Sequence, residues 1–181
     1  RTIGSAAVQS RRVDPPDGAE LYARYCALCH GTDRQGYAAD EAPSLRSPQL
    51  MGSAPSSYLW TAIAYGRPNT AMAAFQESLG GPLSYLDQRA LMNWLIDESG
   101  VERAPVPDAP ISGDATQGVE VYTKHCAQCH GDNGEGGTGT ALANPVFLAT
   151  ATDAFIHHTV VNGRDGTPMR GFKGTLSDTE I

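Results

Sequence analysis

Apolar residues recur in a helical pattern near the start of each half of the chain. In the first half they follow one another at steps of three and four residues: Leu21, Tyr22, Tyr25, Cys26 and Cys29. The same steps separate Val121, Tyr122, Cys126 and Cys129 in the second half. This spacing places side chains on one face of an α-helix. The sequence therefore predicts that each half opens with an amphipathic helix.

A second apolar stripe predicts a closing helix in the first half. It begins after Ser84, which is a favourable N-cap, and Gly100 is a suitable stop. Its members are Leu86, Ala90, Leu91, Trp94 and Leu95. In the second half, Ser177 and Glu180 form a capping-box pattern that predicts the start of a corresponding helix. The counterpart of Trp94 would lie beyond Ile181, so we expect the sequence to be part of a longer one.

The two halves are copies of one unit. At an offset of 100 residues the matching positions are Gly18, Tyr22, Cys26, Cys29, His30 and Gly31 with Gly118, Tyr122, Cys126, Cys129, His130 and Gly131. At an offset of 97 they are Gly66, Arg67, Thr70, Met72 and Phe75 with Gly163, Arg164, Thr167, Met169 and Phe172. Between these blocks, both copies have the pattern of a short helix that ends before Gly-Arg, and we expect it to pack against a cofactor. The sequence therefore predicts a duplication.

Residues 98–114 are rich in proline and lack periodicity, which is typical of a linker. Together with the repeat, this segment divides the chain into four parts. We predict an N-terminal tail over 1–13, a first domain over 14–100, a linker over 101–114 and a second domain over 115–181 whose closing helix is missing.

The charge of the chain disfavours nucleic-acid binding. The formal net charge is −7, and residues 14–100 and 101–181 each carry five basic and ten acidic side chains. This acidity would repel phosphates and favours a partner with a basic docking face. No apolar run approaches the roughly 20 residues that span a bilayer. Residue 1 is arginine, so we expect an export signal or an anchor to have been lost.

The four cysteines form two Cys-x-x-Cys-His motifs, at positions 26–30 and 126–130. Two thiols one helical turn apart can form thioether bonds to one porphyrin while the adjacent imidazole reaches the iron. A lone pair of cysteines would also suit a thioredoxin-like redox site, a structural zinc site or disulfides. Those alternatives leave both histidines and both downstream methionine motifs unexplained. The motifs therefore predict two haems c, each containing iron.

With these motifs the chain resembles class I cytochromes c over nearly all of residues 14–181. The resemblance implies an all-α fold with two tandem domains, each a few helices wrapped round one covalent haem, joined by the proline-rich linker. It implies that Cys26, Cys29, Cys126 and Cys129 bind haem covalently and that His30 and His130 are axial ligands of iron. In that family a glycine and an aromatic residue of the first helix meet an aromatic residue of the last. Gly18, Tyr22 and Trp94 match, as do Gly118 and Tyr122.

The resemblance also implies a methionine as the second axial ligand. The repeated Gly-Arg-x-x-Thr-x-Met motif gives this role to Met72 and Met169, with core packing as the alternative. Met51, in a loop rich in Pro, Ser and Gly, is the rival of Met72. Met92 lies two positions before Trp94 on a helix, where a place in the core or at an interface is expected.

Two further roles follow from the resemblance. The family orients the ligand histidine with a proline carbonyl, and Pro43 and Pro145 are similar to that proline, with a simple loop constraint as the alternative. Arg67 and Arg164 suit a haem propionate or a loop carbonyl, since guanidinium offers a planar fork of donors. Solvated surface positions are the alternative for both arginines.

Iron held by histidine and methionine has no vacant position, so the expected function is electron transfer without catalysis. Two roles remain open: a periplasmic carrier, or the haem subunit of a respiratory or dehydrogenase complex. A dihaem redox enzyme with one open iron is a third hypothesis. The expected partners are a redox donor and acceptor, and possible subunits of a membrane-associated complex. The resemblance implies the periplasm or the outer face of the cytoplasmic membrane.

Overall fold

The computed structural model describes residues 15–181, and the predicted tail over 1–13 lies outside them. Helices dominate the described residues, where pairing between extended segments is limited to isolated bridges. The helices of the first half are α1 (Gly18–Tyr25), α2 (Ala27–His30), α3 (Pro48–Ser53), α4 (Ser56–Tyr65) and α5 (Tyr85–Asp97). Those of the second half are α6 (Ala115–His125), α7 (Ala127–His130), α8 (Pro145–Leu148) and α9 (Asp153–Asn162). The all-α prediction is confirmed.

The opening helices begin at aspartate caps in both halves. Asp17 accepts a hydrogen bond of 2.8 Å from the backbone N–H of Ala19, and Asp114 accepts one of 2.8 Å from Thr116. An aspartate cap satisfies N–H groups that have no partner within the helix. Each opening helix breaks at the first cysteine of its motif and resumes as one short turn, α2 or α7, that ends at the histidine. The prediction of a helix at the start of each half is therefore confirmed.

The first half closes by a tight crossing of α1 and α5. Ser84 caps α5 with a full capping box, in which Asp87 accepts a 2.9 Å bond from the Ser84 backbone. The Tyr22 and Trp94 rings lie 5.1 Å apart between centroids. A Cβ at Gly18 would lie 2.4 Å from the Cβ of Trp94, so only glycine permits this approach. The predicted contact of Gly18, Tyr22 and Trp94 is confirmed.

The second half has different surroundings at the matching glycine. A Cβ at Gly118 would meet no atom of residues 15–181 within 4 Å. Ser177 and Glu180 make the predicted side-chain contacts, with the Ser177 N–H donating to the Glu180 carboxylate at 2.9 Å. Residues 178–180 form a turn.

The two halves pack on each other through equivalent helices, and we call this contact the junction. In the junction, α3 packs on α9 and α8 packs on α4. In the repeat α3 matches α8 and α4 matches α9, so each half contributes the same two helices to the junction. Tyr58 of α4 lies 5.9 Å from Phe147 and 5.2 Å from Phe155, measured between ring centroids. All three rings are buried in one hydrophobic cluster that draws residues from both halves.

Residues 101–114 contain no regular structure but are bound to the first half. The Ala104 N–H donates to the carbonyl of Gly52, and the guanidinium of Arg103 donates to the carbonyls of Met51 (2.6 Å) and Ala54 (2.7 Å). The segment that the sequence predicts as a linker is therefore fixed along α3.

Candidate functional site

The first Cys-x-x-Cys-His motif lies where α1 gives way to α2. Both thiols are free, and Cys29 follows Cys26 by one helical turn. Burial, which is the main cause, raises the pKa of the Cys26 thiol to about 11. The thiol is therefore protonated at neutral pH. The side chain of His30, at the end of α2, is buried.

The ring of His30 is oriented by the backbone. Its Nδ1 lies 2.8 Å from the carbonyl oxygen of Pro43. A carbonyl can only accept, so Nδ1 carries the proton and Nε2 is left with a free lone pair. Burial lowers the pKa of His30, against the smaller opposite effect of this bond, which favours the neutral ring that binds a metal. The role predicted for Pro43 is confirmed.

The role predicted for Pro145 is wrong. Nδ1 of His130 lies 2.8 Å from the carbonyl oxygen of Thr140, whereas Pro145 is the first residue of α8. Any residue can supply a backbone carbonyl, so proline is not required for this bond. The repeat indicates the correct acceptor, because Thr140 lies 97 positions after Pro43. Pro145 instead lies 97 positions after Pro48, the first residue of α3.

Tyrosine hydroxyls tie the opening helices to the turn that follows each histidine. The hydroxyl of Tyr22 donates to the carbonyl of Gly31 at 2.6 Å, and that of Tyr122 donates to the carbonyl of Gly131 at 2.7 Å. Sequence analysis predicted a packing role for these tyrosines but not these bonds. The bonds fix the turns on which the histidines lie.

The methionine motifs form the same closed loop in both halves. In the first half, the Arg67 N–H donates to the carbonyl of Met72 at 2.8 Å, and the Thr70 hydroxyl accepts from the Met72 N–H at 3.1 Å. The corresponding distances for Arg164, Thr167 and Met169 are 2.8 and 3.1 Å. We call residues 66–72 and 163–169 the methionine loops.

A glycine with positive φ starts each methionine loop. Gly66 has φ of 67°, and a Cβ there would lie 2.4 Å from the carbonyl oxygen of Met72. Gly163 has φ of 69° and the same kind of close approach, to Met169. The two glycines therefore explain why Gly-Arg precedes the methionine by the same distance in both copies.

Aromatic contacts join the residue before each Cys-x-x-Cys-His motif to a phenylalanine just after the methionine loop. Tyr25, which precedes Cys26, lies 6.5 Å from Phe75, measured between ring centroids. In the second half His125, which precedes Cys126, lies 5.9 Å from Phe172. Both phenylalanines follow their methionine by three residues. The same contact thus occurs in both halves, and sequence analysis did not predict it.

The methionines differ in their surroundings. Met72 and Met169 are half-buried in their loops. Met51 is only 2% exposed and lies within α3 in the hydrophobic cluster, where packing accounts for its apolar side chain. Met92 lies within α5, as predicted. Packing therefore accounts for Met51, whereas Met72 lies in the same hydrogen-bonded loop as Met169, which favours Met72 as the ligand.

Arg67 and Arg164 lie at the junction and not on a solvated surface. The guanidinium of Arg67 lies 4.9 Å from the Tyr58 ring centroid and 5.8 Å from that of Phe147, and Arg164 lies 5.5 Å from that of Phe155. Burial lowers the pKa of Arg164. In both arginines Nη1 is buried and has no hydrogen-bond partner among the residues that the structure describes. Buried cationic donors without partners suit an anionic group such as a carboxylate.

The residues of each half fit a covalently bound haem. They offer two free thiols one turn apart, an imidazole with Nε2 available, a methionine loop alongside and an unpaired guanidinium suited to a propionate. Across residues 15–181, no three side chains of His, Cys, Asp or Glu form a group that could hold a metal ion. In the same residues, no helix is both long and apolar enough to cross a bilayer.

Comparison with known proteins gives a family match over both halves. The family model described as "Cytochrome C oxidase, cbb3-type, subunit III" matches residues 13–82 and again residues 113–181. Because the model matches twice, the duplication and the tandem cytochrome c-type domains are confirmed. Proteins of this family contain two haems c, so the predicted cofactors are confirmed as well.

Several curated proteins are similar over most of this chain. The cbb3-type cytochrome c oxidase subunit FixP of Bradyrhizobium sp. is 26% identical over 91% of this chain and 56% of its own length. The subunit CcoP of Azospirillum sp. is 26% identical over 91% of this chain and 57% of its own. The cytochrome bc1 complex cytochrome c subunit of Corynebacterium diphtheriae is 25% identical over 84% of this chain and 58% of its own length. The chain spans a little over half the length of these relatives.

Proposed function

We propose, on the ground that this chain belongs to the family of subunit III of cbb3-type cytochrome c oxidase, that its two haems c transfer electrons with both irons closed by histidine and methionine. Cys26 and Cys29 bind the first haem, and Cys126 and Cys129 the second. The axial pairs are His30 with Met72, and His130 with Met169. The repeated contact between the residue before each motif and the phenylalanine three positions after each methionine, Tyr25 with Phe75 and His125 with Phe172, carries this proposal.

Closed coordination suits electron transfer. The haem supplies an iron that changes oxidation state by one electron, and a thioether ligand favours ferrous iron and so raises the reduction potential. The chain fixes the imidazole through the carbonyls of Pro43 and Thr140 and holds each methionine in its hydrogen-bonded loop. Since both ligand positions are filled, substrates have no access to iron, and the chain is not itself a catalyst.

The chain acts within a respiratory complex. Its relatives are named as cytochrome c subunits of cbb3-type oxidases and of a cytochrome bc1 complex, which supports this role over that of a free carrier. The partners are then a redox donor, a redox acceptor and the other subunits. Haem attachment to Cys-x-x-Cys-His places the chain in the periplasm or on the outer face of the cytoplasmic membrane. The acidic surface of both halves suits a donor with a basic docking face.

The domains of this protein extend over 14–100 and 115–181, with the linker over 101–114. The aspartate cap of α6 at Asp114 supports the second boundary, because it marks where regular structure resumes. The contacts of α3 with α9 and of α4 with α8 support a fixed arrangement of the domains.

Methionine substitution tests the proposed ligation. Met72→Ala and Met169→Ala should each remove half of the weak ferric charge-transfer band that reports methionine on iron. Met51→Leu and Met92→Leu are matched controls that should leave the band unchanged. A band that keeps its full strength in Met72→Ala but loses half of it in Met51→Leu would contradict the assignment of the first ligand. The size of the full-length native particle separates the roles, since a lone monodisperse monomer would contradict the subunit role.

A further inference from the structure

Hydrogen bonds that cross the junction end on the methionine loops. The Gln49 side-chain amide of α3 donates to the Asp165 carboxylate at 2.7 Å, and the Asp165 N–H donates back to the Gln49 side-chain oxygen at 2.8 Å. From the other half, the Asn144 side-chain amide donates to the Pro68 carbonyl at 2.7 Å. Pro68 and Asp165 are equivalent, because each follows the Gly-Arg of its loop. Each half therefore holds the loop of the other half at the same point.

The two amide side chains are fixed before they reach across the junction. Asn144 caps α8, and its side-chain oxygen accepts from the N–H groups of Val146 (3.0 Å) and Phe147 (3.2 Å). This directs its amide nitrogen to the other half, and the side chain is buried. Gln49 lies in the first turn of α3, where its side-chain oxygen also accepts from the Ser47 hydroxyl at 3.2 Å. Both donors are therefore rigid supports.

The contacted residues lie inside closed loops. The Arg67 N–H is bonded to the carbonyl of Met72, so Pro68 lies within a ring of hydrogen-bonded backbone that ends at the methionine. Asp165 has the same place between Arg164 and Met169. A displacement of Pro68 or Asp165 therefore moves the methionine of the same loop, because the loop is short and closed by a hydrogen bond.

We propose that Gln49 and Asn144 are positioning residues that act across the junction, each holding the methionine of the other half on its iron. Asn144 keeps Met72 on the first haem, and Gln49 keeps Met169 on the second. This inference rests on the proposed histidine and methionine ligation. It makes the coordination of each haem dependent on the domain that binds the other haem.

The test measures how often each methionine leaves its iron. Imidazole binds ferric iron only when the methionine is detached, so its apparent dissociation constant falls as the detached fraction rises. Met169→His removes the charge-transfer band of the second haem, and the remaining band then reports Met72 alone. Met72→His makes the band report Met169 alone. Imidazole titration of the haem-loaded chain in each background therefore measures one loop at a time.

Substitutions of amide by carboxylate remove the crossing donor while they keep the acceptor. In Asn144→Asp the cap of α8 is retained, but a carboxylate oxygen faces the carbonyl of Pro68. In the Met169→His background, we expect the imidazole dissociation constant to fall about five- to tenfold, the effect of one lost hydrogen bond. Gln49→Glu should cause the same fall in the Met72→His background. Each variant should have no effect in the opposite background.

A rescue and a control complete the design. In the double variant Gln49→Glu, Asp165→Asn the amide is at position 165 and the carboxylate at position 49, so one side chain can again donate to the other. The double variant should therefore restore the dissociation constant for imidazole. Asn162→Asp is the matched control, because within residues 15–181 its side-chain amide donates to the His158 carbonyl of its own helix α9 and does not cross the junction. An equal change of the imidazole constant by one variant in both backgrounds, or no change in either, would overturn the proposal. Absence of the charge-transfer band from the unsubstituted protein would overturn the ligation as well.

Discussion

The tight crossing of α1 and α5 allows a matched test of glycine at two equivalent positions. Gly18→Ala would place a Cβ 2.4 Å from the Cβ of Trp94 and 2.6 Å from the carbonyl oxygen of Ala90. The first distance is about 1 Å short of the 3.4 Å at which ordinary contact begins. Neither the Cβ of Trp94 nor the carbonyl of Ala90 can move aside without moving α5, so the two helices must separate. Gly118→Ala in the same 181-residue chain is the control, because no atom of the described part of that chain lies within 4 Å of the added Cβ.

The expected loss follows from two effects of the separation. Overpacking a well-packed site costs about 1–3 kcal/mol, and a weaker Tyr22–Trp94 contact loses part of about 0.5–1.5 kcal/mol. Alanine recovers little helix propensity at Gly18, which is the first residue of α1. We expect the free energy of unfolding of the first half to fall by about 2 kcal/mol. Gly118 lies inside α6, where alanine should raise stability by up to about 1 kcal/mol.

Denaturant unfolding of the haem-loaded chain measures these changes. The two tryptophans of the sequence, Trp60 and Trp94, both lie in the first half, so tryptophan fluorescence reports that half. The Gly18→Ala midpoint should move to lower denaturant with little change in slope. The Gly118→Ala fluorescence midpoint should stay in place. A Gly18→Ala protein as stable as the unsubstituted one would refute the claim that the crossing requires glycine.

Two other substitutions test bonds that hold the site. Tyr22→Phe removes the donor to the Gly31 carbonyl and should lower the free energy of unfolding by about 1 kcal/mol, measured by denaturant unfolding. Burial raises the pKa of Tyr22 from 10.0 to about 12, so the neutral hydroxyl stabilises the fold fully below pH 10 and less as the pH rises through 12. Between pH 10 and 12 the free energy of unfolding should therefore fall more steeply in the unsubstituted protein than in Tyr22→Phe. Parallel curves for the two proteins would contradict this. Arg103→Met removes the donor to the Met51 and Ala54 carbonyls and should speed backbone hydrogen exchange in the linker, whereas unchanged exchange would show that Arg103 does not fix it.

Local elements were predictable because their causes lie close together in the sequence. The helix after Ser84 was predicted from its capping box and apolar stripe, and the structure has it over Tyr85–Asp97. The predicted contact of Gly18 with Trp94 was accessible through the resemblance to class I cytochromes c. These features depend on residue type, so a single sequence contains them.

The junction was not predictable from the sequence. We expected the helix before Gly-Arg to pack against a cofactor, and nothing in its pattern indicated that Tyr58 and Phe155 of the two copies also meet each other. Apolar periodicity shows that a face is buried and not what covers it. The bonds of Gln49 and Asn144 connect residues 116 and 76 positions away, which no local pattern reveals.

The carbonyl that orients His130 shows a different limit. The prediction of Pro145 relied on residue type, although any backbone carbonyl can accept the bond. Ten residues separate His130 from its acceptor, against thirteen for His30 and Pro43. The three-residue difference equals the change in repeat offset from 100 to 97. The offset was therefore a better guide than the proline.

Haem content, together with oxidised and reduced spectra, tests the central claim most directly. The account predicts two covalently attached haems per chain, with the ferric charge-transfer band at full strength for both. Two haems with half of the band would show that one iron is open or has another ligand, and would favour catalysis at that iron. Fewer than two covalent haems would contradict the assignment of the four cysteines.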